Sequence, residues 1–342
     1  DVMAVSLYPK EGNPLWEELS TKAVASTLKS YSEHTFDYPY HKAISVHAKR
    51  QGMEYPMICW NYGRPDENGN YTDRTKFGMI SVIIHEVGHN FFPMIVNSDE
   101  RQWGWMDEGL DTFMQYLAEQ EFGQAFPEVI GDREKYPSRR GNPANIVPYM
   151  SGDQSTISPI MSNPENVYRL GPNAYAKPAT ALNILRETVM GKELFDHAFK
   201  TYAQRWMFKH PTPEDFFRTM EDASAVDLDW FWRSWFYTTD YVDIGIKGVK
   251  KFFVSTKPDK EYMAARNYTD DNFPPYVYLV DEQSEGFDPS LVGKKPSEVS
   301  QPLKEYMMDN LTADERAAIN EPKYFYEVTF NKPGGIPMPL IV

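Results

Sequence analysis

The chain of 342 residues contains one cysteine, Cys59, so an intramolecular disulfide and a cysteine-built metal site are both excluded. No apolar run approaches the length of a membrane span; the longest near the centre, Met79–Ile84, is interrupted by Ser81. There is no block of lysine or arginine and the formal net charge is −14, which argues against nucleic acid or an anionic membrane surface as partner and favours cationic or neutral ligands. Internal repeats and low-complexity tracts are missing as well. The first residue is Asp1 rather than Met, so the expectation is a fragment or a chain whose leader has been removed, any targeting signal having gone with the missing part.

What is present suits a globular protein with a large core. Its length points to two units, and the aromatic share of 15% to bulky buried side chains. Leu15–Tyr31 has the spacing of an amphipathic packing helix. His41–His47 and Glu54–Trp60 read as strands, and the Gly/Asn/Asp/Pro-rich loop 61–76 leads into a central helix over Phe77–Met94, apolar almost all round as a buried helix should be. Gly88 in that helix leaves room for another element to approach. A second helix is expected over Trp105–Phe122, with Asp107 near its start where a carboxylate suits the helix dipole. Residues 126–173 are irregular, of the kind that walls a cleft, and helices follow over 174–190, 193–209, 213–223 and 228–236, the last an aromatic cluster read as core. Beyond about Tyr241 the pattern changes to strands at 242–254 and 324–330, one solvated helix at 312–320 opened by a capping box of Thr312 and Glu315, and a final stretch that looks like a strand cut short.

The chemistry concentrates in Met79–Glu108. His85 and His89 are four apart, so on a helix they share one face and can close on one metal ion. Glu86 sits beside that face, where it can reach a water on the metal without taking a coordination position, the placement of a general base. Glu108, eighteen residues past His89, completes two histidines and one carboxylate, a donor set that leaves a zinc ion one open position. His34, His41 and His47 have no partner at ligand spacing and read as surface or supporting residues. Asp111, one turn beyond Glu108, is a candidate to support a ligand histidine.

HEVGH, eighteen residues and then the glutamate of WMDEG resemble the zinc motif of gluzincin metallopeptidases of the aminopeptidase N type. QGMEYP at 51–56 resembles the exopeptidase motif of that family, and AYAKP at 174–178 its later tyrosine element, in the same order and similar spacing. The resemblance covers about residues 1–240. It implies one zinc ion, a peptide substrate with a free N-terminus, and a substrate-binding strand of Gly52, Met53 and Glu54, with Glu54 on the α-ammonium group. It also implies that Tyr175 donates a hydrogen bond to the oxyanion that develops in the transition state, with Tyr168 as reserve. The sequence departs from the family at Asn90, Gln115 and Pro178, and nothing in it can be the family's capping N-terminal β domain.

The expected fold is therefore α/β plus α: a thermolysin-like two-lobed catalytic domain over 1–240, with a mixed sheet carrying an edge strand and the zinc helix and then a helical lobe, followed over 241–342 by a partial β-rich module. The expected function is zinc-dependent aminopeptidase. Two alternatives are an open-cleft metalloendopeptidase, against which Glu54 argues, and a non-catalytic peptide-binding relative, against which intact Glu86 and the three ligands argue. Export, periplasmic or secreted, is expected over a cytoplasmic location.

Overall fold

The computed structural model describes residues 1–49, 52–255, 276–284 and 323–340, with a few isolated positions between 290 and 314. The chain divides into two compact units, residues 1–242 with 336–342, and residues 243–335.

The first unit opens with a small mixed sheet. β1 (Met3–Leu7) pairs in parallel with β2 (Lys42–His47), and β2 in parallel with β4 (Ile58–Asn61); β3 (Met53–Tyr55) runs antiparallel to β4 and forms the free edge. The single strand expected over Glu54–Trp60 is thus a hairpin. Pro56 cannot donate to a ladder, and Met57 takes a left-handed turn with φ of 65°, which reverses the chain. The amide of Met57 is held by the side-chain oxygen of Asn90 at 2.8 Å, tying this turn to the end of the histidine helix.

Between the parallel strands lies α1 (Leu15–His34), whose Leu15, Leu19, Val24 and Leu28 are buried against α2 (Asp73–Gly88) and α3 (Leu110–Ala125). α2 starts at the Thr72 cap, whose hydroxyl accepts from the Thr75 amide at 3.3 Å. It buries Phe77, Ile80, Ile83, Ile84 and Val87 and stops at Gly88, six residues short of the expected end at Met94. A wide turn over Asn90–Ile95 follows, in which Phe92 is extended (φ −131°, ψ 114°). The cause is Pro93, which lacks an amide hydrogen and disfavours helical geometry at the residue before it. The expected second helix likewise begins with a wide turn, Trp105–Gly109, before α3 proper.

The stretch 126–173 is less irregular than its composition suggests, containing α4 (Pro127–Ile130) and α5 (Pro143–Met150), each with proline in its first turn. The helical lobe continues with α6 (Lys177–Ile184), α7 (Lys192–Trp206), α8 (Pro213–Ser224) and α9 (Asp229–Tyr237). Trp105, Phe216, Phe217, Trp232 and Phe236 interlock with ring centroids 4.7 to 5.9 Å apart, so the aromatic cluster is core.

The second unit is an antiparallel sheet of order β6-β5-β7, with β5 (Gly245–Ser255) between β6 (Tyr276–Ser284) and β7 (Lys323–Asn331). Two of these strands match the expected ones. The helix expected over 312–320 lies almost entirely outside the described residues. Residues 332–340 form no strand, as three prolines in that stretch would dictate; the Ile336 amide instead bonds to the Tyr241 carbonyl at 3.3 Å.

Candidate active site

A cavity of about 700 Å³ opens along α2 and is lined by Gly52, Glu54, His85, Glu86, His89, Glu108 and Tyr175, among others. Seven of the eight residues named from sequence for metal, catalysis or substrate line it. Met53 does not: one position along the strand, its side chain points to the opposite face and is exposed, as the two-residue period of a strand requires. Tyr168 is 61% exposed in a loop and does not line the cavity.

The metal-donor geometry follows from α2 and the turn before α3. His85 Nε2 lies 3.0 Å and His89 Nε2 3.4 Å from Glu108 Oε2, and the two Nε2 atoms are 3.2 Å apart. The opposite ring nitrogens are committed elsewhere. His89 Nδ1 is 2.9 Å from the Phe92 carbonyl oxygen and 3.1 Å from Asp107 Oδ1, whereas His85 Nδ1 is 3.1 Å from Gln115 Oε1 and 2.7 Å from Asp111 Oδ2. Both Nδ1 atoms face acceptors and so carry the hydrogen, which leaves two Nε2 lone pairs and a carboxylate oxygen converging on one point. Such a set is mutually repulsive alone and fits a cation held among the three. His85, His89 and Glu108 are therefore a set of residues that could hold a metal ion.

The extended Phe92 created by Pro93 is part of this construction, because its carbonyl turns back to hold His89. Asp107, expected only to serve the helix dipole, stands against His89 instead. Burial pushes its carboxyl up to about 7, with His89 pulling the other way. Burial pushes Glu86 up to about 7, against the pull of both histidines. Its Oε2 is buried with no hydrogen-bond partner among the described residues, and Gly52 approaches its Oε1. Glu54 and Glu86 have carboxylate oxygens grouped with a His89 ring nitrogen within 4.8 Å of one another. Tyr175 stacks on His85 with centroids 5.8 Å apart, its phenol raised by burial and then by the Glu108 carboxylate.

Two glycines allow the helices to close on this site. A Cβ on Gly88 would overlap Asp111 Oδ1 and the Tyr31 hydroxyl, which donates to Asp111 Oδ1 at 2.9 Å. A Cβ on Gly109 would meet Pro178 at 2.6 Å, so the proline that departs from the family motif has its space opposite. Gly88→Ala is expected to cost about 1–3 kcal/mol by overpacking, read as a fall in the denaturant midpoint at unchanged slope. An unchanged midpoint would mean that α1, α2 and α3 do not meet as described.

Residues 20–235 match the model of the peptidase family M1 domain. Aminopeptidase N of Lactococcus lactis subsp. lactis is 22% identical over 65% of this chain and 27% of its own length, and mitochondrial aminopeptidase 2 of Saccharomyces cerevisiae is 22% identical over 84% and 30%. A solved M1 zinc metallopeptidase from Deinococcus radiodurans superposes with a TM-score of 0.44 at 15% identity, covering 62% of this chain and 43% of that one. The chain spans less than a third of the length of these two curated relatives. With the family model covering well over half of it, and the paired histidines, Glu86 and Glu108 gathered in one cavity, the chain belongs to peptidase family M1.

Proposed function

We propose that the chain carries the catalytic part of a zinc aminopeptidase. Residues 1–240 act as a thermolysin-like catalytic domain and 241–342 as part of a β-rich module. The observation that carries the exopeptidase reading is the position of Glu54: at the free sheet edge, its carboxylate is grouped with Glu86 and His89 beside the metal donors. A carboxylate there binds an α-ammonium group about one residue away from the metal, so only the first peptide bond reaches the reacting position. The open edge of β3 can pair with the substrate backbone. The relatives named above as aminopeptidases accord with this reading.

His85, His89 and Glu108 would hold the zinc ion, which when bound supplies Lewis acidity, making a neighbouring water acidic and polarising the scissile carbonyl. Glu86 takes the proton from the attacking water and passes it to the leaving amine. Tyr175 donates its hydroxyl hydrogen to the carbonyl oxygen as negative charge grows there. Asp111, Gln115 and the Phe92 carbonyl keep each imidazole in the tautomer that points Nε2 inward.

The test is a panel of free and N-acetylated peptides, assayed with and without chelator. Only the free peptides should be shortened, from the N-terminus, and only without chelator. Glu54→Ala should lower kcat/KM on free-amine peptides by about a hundredfold, the scale of losing one partner of a buried charge pair. If the variant treats free and blocked peptides as wild type does, the exopeptidase reading is wrong, and internal cleavage of blocked peptides would indicate an endopeptidase.

A further inference from the structure

Among the described residues four arginines, Arg64, Arg74, Arg139 and Arg140, line the same cavity, and no lysine does. Among the described residues none of the four makes an ion pair or a side-chain hydrogen bond; elsewhere Arg133, Arg186 and Arg205 are paired with carboxylates and Arg101, Arg169, Arg218 and Arg233 are not, so it is the gathering of four such groups in one cavity that stands out. Such a concentration of unpaired guanidinium groups is unexpected in a chain of net charge −14. Arg140 lies over the Tyr175 ring, 4.3 Å from its centroid, and so faces the reacting centre. Glu119, the remaining carboxylate among the described lining residues, is 2% exposed and accepts from Gln115 Nε2 at 2.8 Å.

The positions of these arginines are built into the fold. The segment bearing Arg139 and Arg140 is pinned on three sides. Asn145 Nδ2 donates to the Arg139 carbonyl at 3.1 Å, Asn183 Nδ2 to the Gly141 carbonyl at 3.0 Å, and Gln120 Nε2 to Ser138 Oγ at 2.8 Å. Gly141 has φ of 87° and presses on the Tyr116 ring, where a Cβ would meet carbon at 2.7 Å. Arg64 follows Gly63, whose carbonyl accepts from the Trp16 indole at 2.6 Å and whose backbone packs on Met79 of α2. Arg74 lies in the first turn of α2, where the helix dipole also favours an anion.

The cavity is polarised along α2. Glu54, Glu86 and Glu108 gather around His85 and His89 near the C-terminal end of the helix, while Arg74 lies eleven residues before His85, about 16 Å along the axis. A peptide whose amino end is held at Glu54 must leave the reacting centre away from Glu54, toward the arginines. At about 3.3 Å per extended residue, this distance corresponds to about five residues. We infer that Arg64, Arg74, Arg139 and Arg140 form a carboxylate-binding subsite on the leaving-group side of the cleft. It takes either the C-terminal carboxylate of a short peptide or an acidic side chain a few residues beyond the scissile bond. The inference rests on the peptidase reading for the direction in which substrate runs.

The test uses binding, so that it does not depend on turnover. Penta-alanine as the free acid and as the C-terminal amide, and Ala-Ala-Ala-Glu-Ala-amide against its Gln counterpart, are titrated by calorimetry into the zinc-loaded Glu86→Gln protein. The charged member of at least one pair should bind about tenfold more tightly, the scale of a charge-assisted hydrogen bond, and the preference should shrink as salt is raised. A preference in the first pair assigns the site to chain termini and in the second to acidic side chains; either supports it. Adding Arg74→Gln and Arg139→Gln together should bring the ratio to about one. A folding defect would weaken both members alike and leave the ratio in place. Ratios near one in both pairs before the arginines are changed, or no binding of any peptide, overturn the subsite. The peptidase reading is judged separately by the hydrolysis panel.

Discussion

Glu86→Gln is expected to retain bound metal and to lose about 10²–10⁴-fold in turnover, the usual contribution of a positioned general base. The substitution keeps the shape of the side chain and removes only its ability to take a proton. Glu86 belongs to the buried part of α2, yet its side chain faces the cavity beside His85 and His89, and its Oε2 has no hydrogen-bond partner among the described residues. A buried carboxylate oxygen left in that condition costs stability unless function retains it. Its position on the helix, one residue after the first histidine, brings it next to the donor set without joining it. Metal content equal to wild type with turnover reduced as stated is the outcome that fits; turnover within tenfold of wild type would remove Glu86 from the proton-transfer role.

Removing the metal should have the second large effect, on stability as well as rate. With Nδ1 of His85 and His89 both turned to acceptors, their Nε2 lone pairs face each other at 3.2 Å and the Glu108 oxygen at 3.0 and 3.4 Å. A bound cation converts this repulsion into attraction, and an ion present at a thousand times its dissociation constant stabilises the native state by about 4 kcal/mol. In a unit of this size that corresponds to a fall of roughly 10 °C in Tm on chelation. Activity should vanish over the same titration and return when zinc is restored. In His89→Ala, chelator should no longer move Tm. A melting curve indifferent to chelator in the wild type would show that the three donors hold no ion in solution.

The donor set was legible in the sequence because an i, i+4 pair on a helix leaves little geometric freedom, and because a carboxylate entering a second packed helix can only approach from one side. Glu54 was legible as a residue, but the hairpin that places it was not. A proline inside a bulky run was read as part of one strand, when Pro56 and the left-handed Met57 make it a turn. The side chain of Met53 lies outside the cavity for the related reason that a motif names neighbours while a strand sends alternate side chains to opposite faces. The end of the histidine helix was set six residues too late, since the apolar pattern runs on through Phe91 and Phe92 although Pro93 has already ended the helix. That break has a use the pattern does not show, turning the Phe92 carbonyl onto His89. The arginines were hidden by separation: 64, 74 and 139–140 meet only because the chain returns past α2 after α3, and no local period records such an encounter.

Whether His85, His89 and Glu108 together hold one zinc ion is settled most directly by the metal content of the purified chain, measured beside His85→Ala and His89→Ala prepared in the same way. About one zinc per chain in the wild type and almost none in either variant is the expected result. No zinc in the wild type, or the same zinc content in all three proteins, would contradict it.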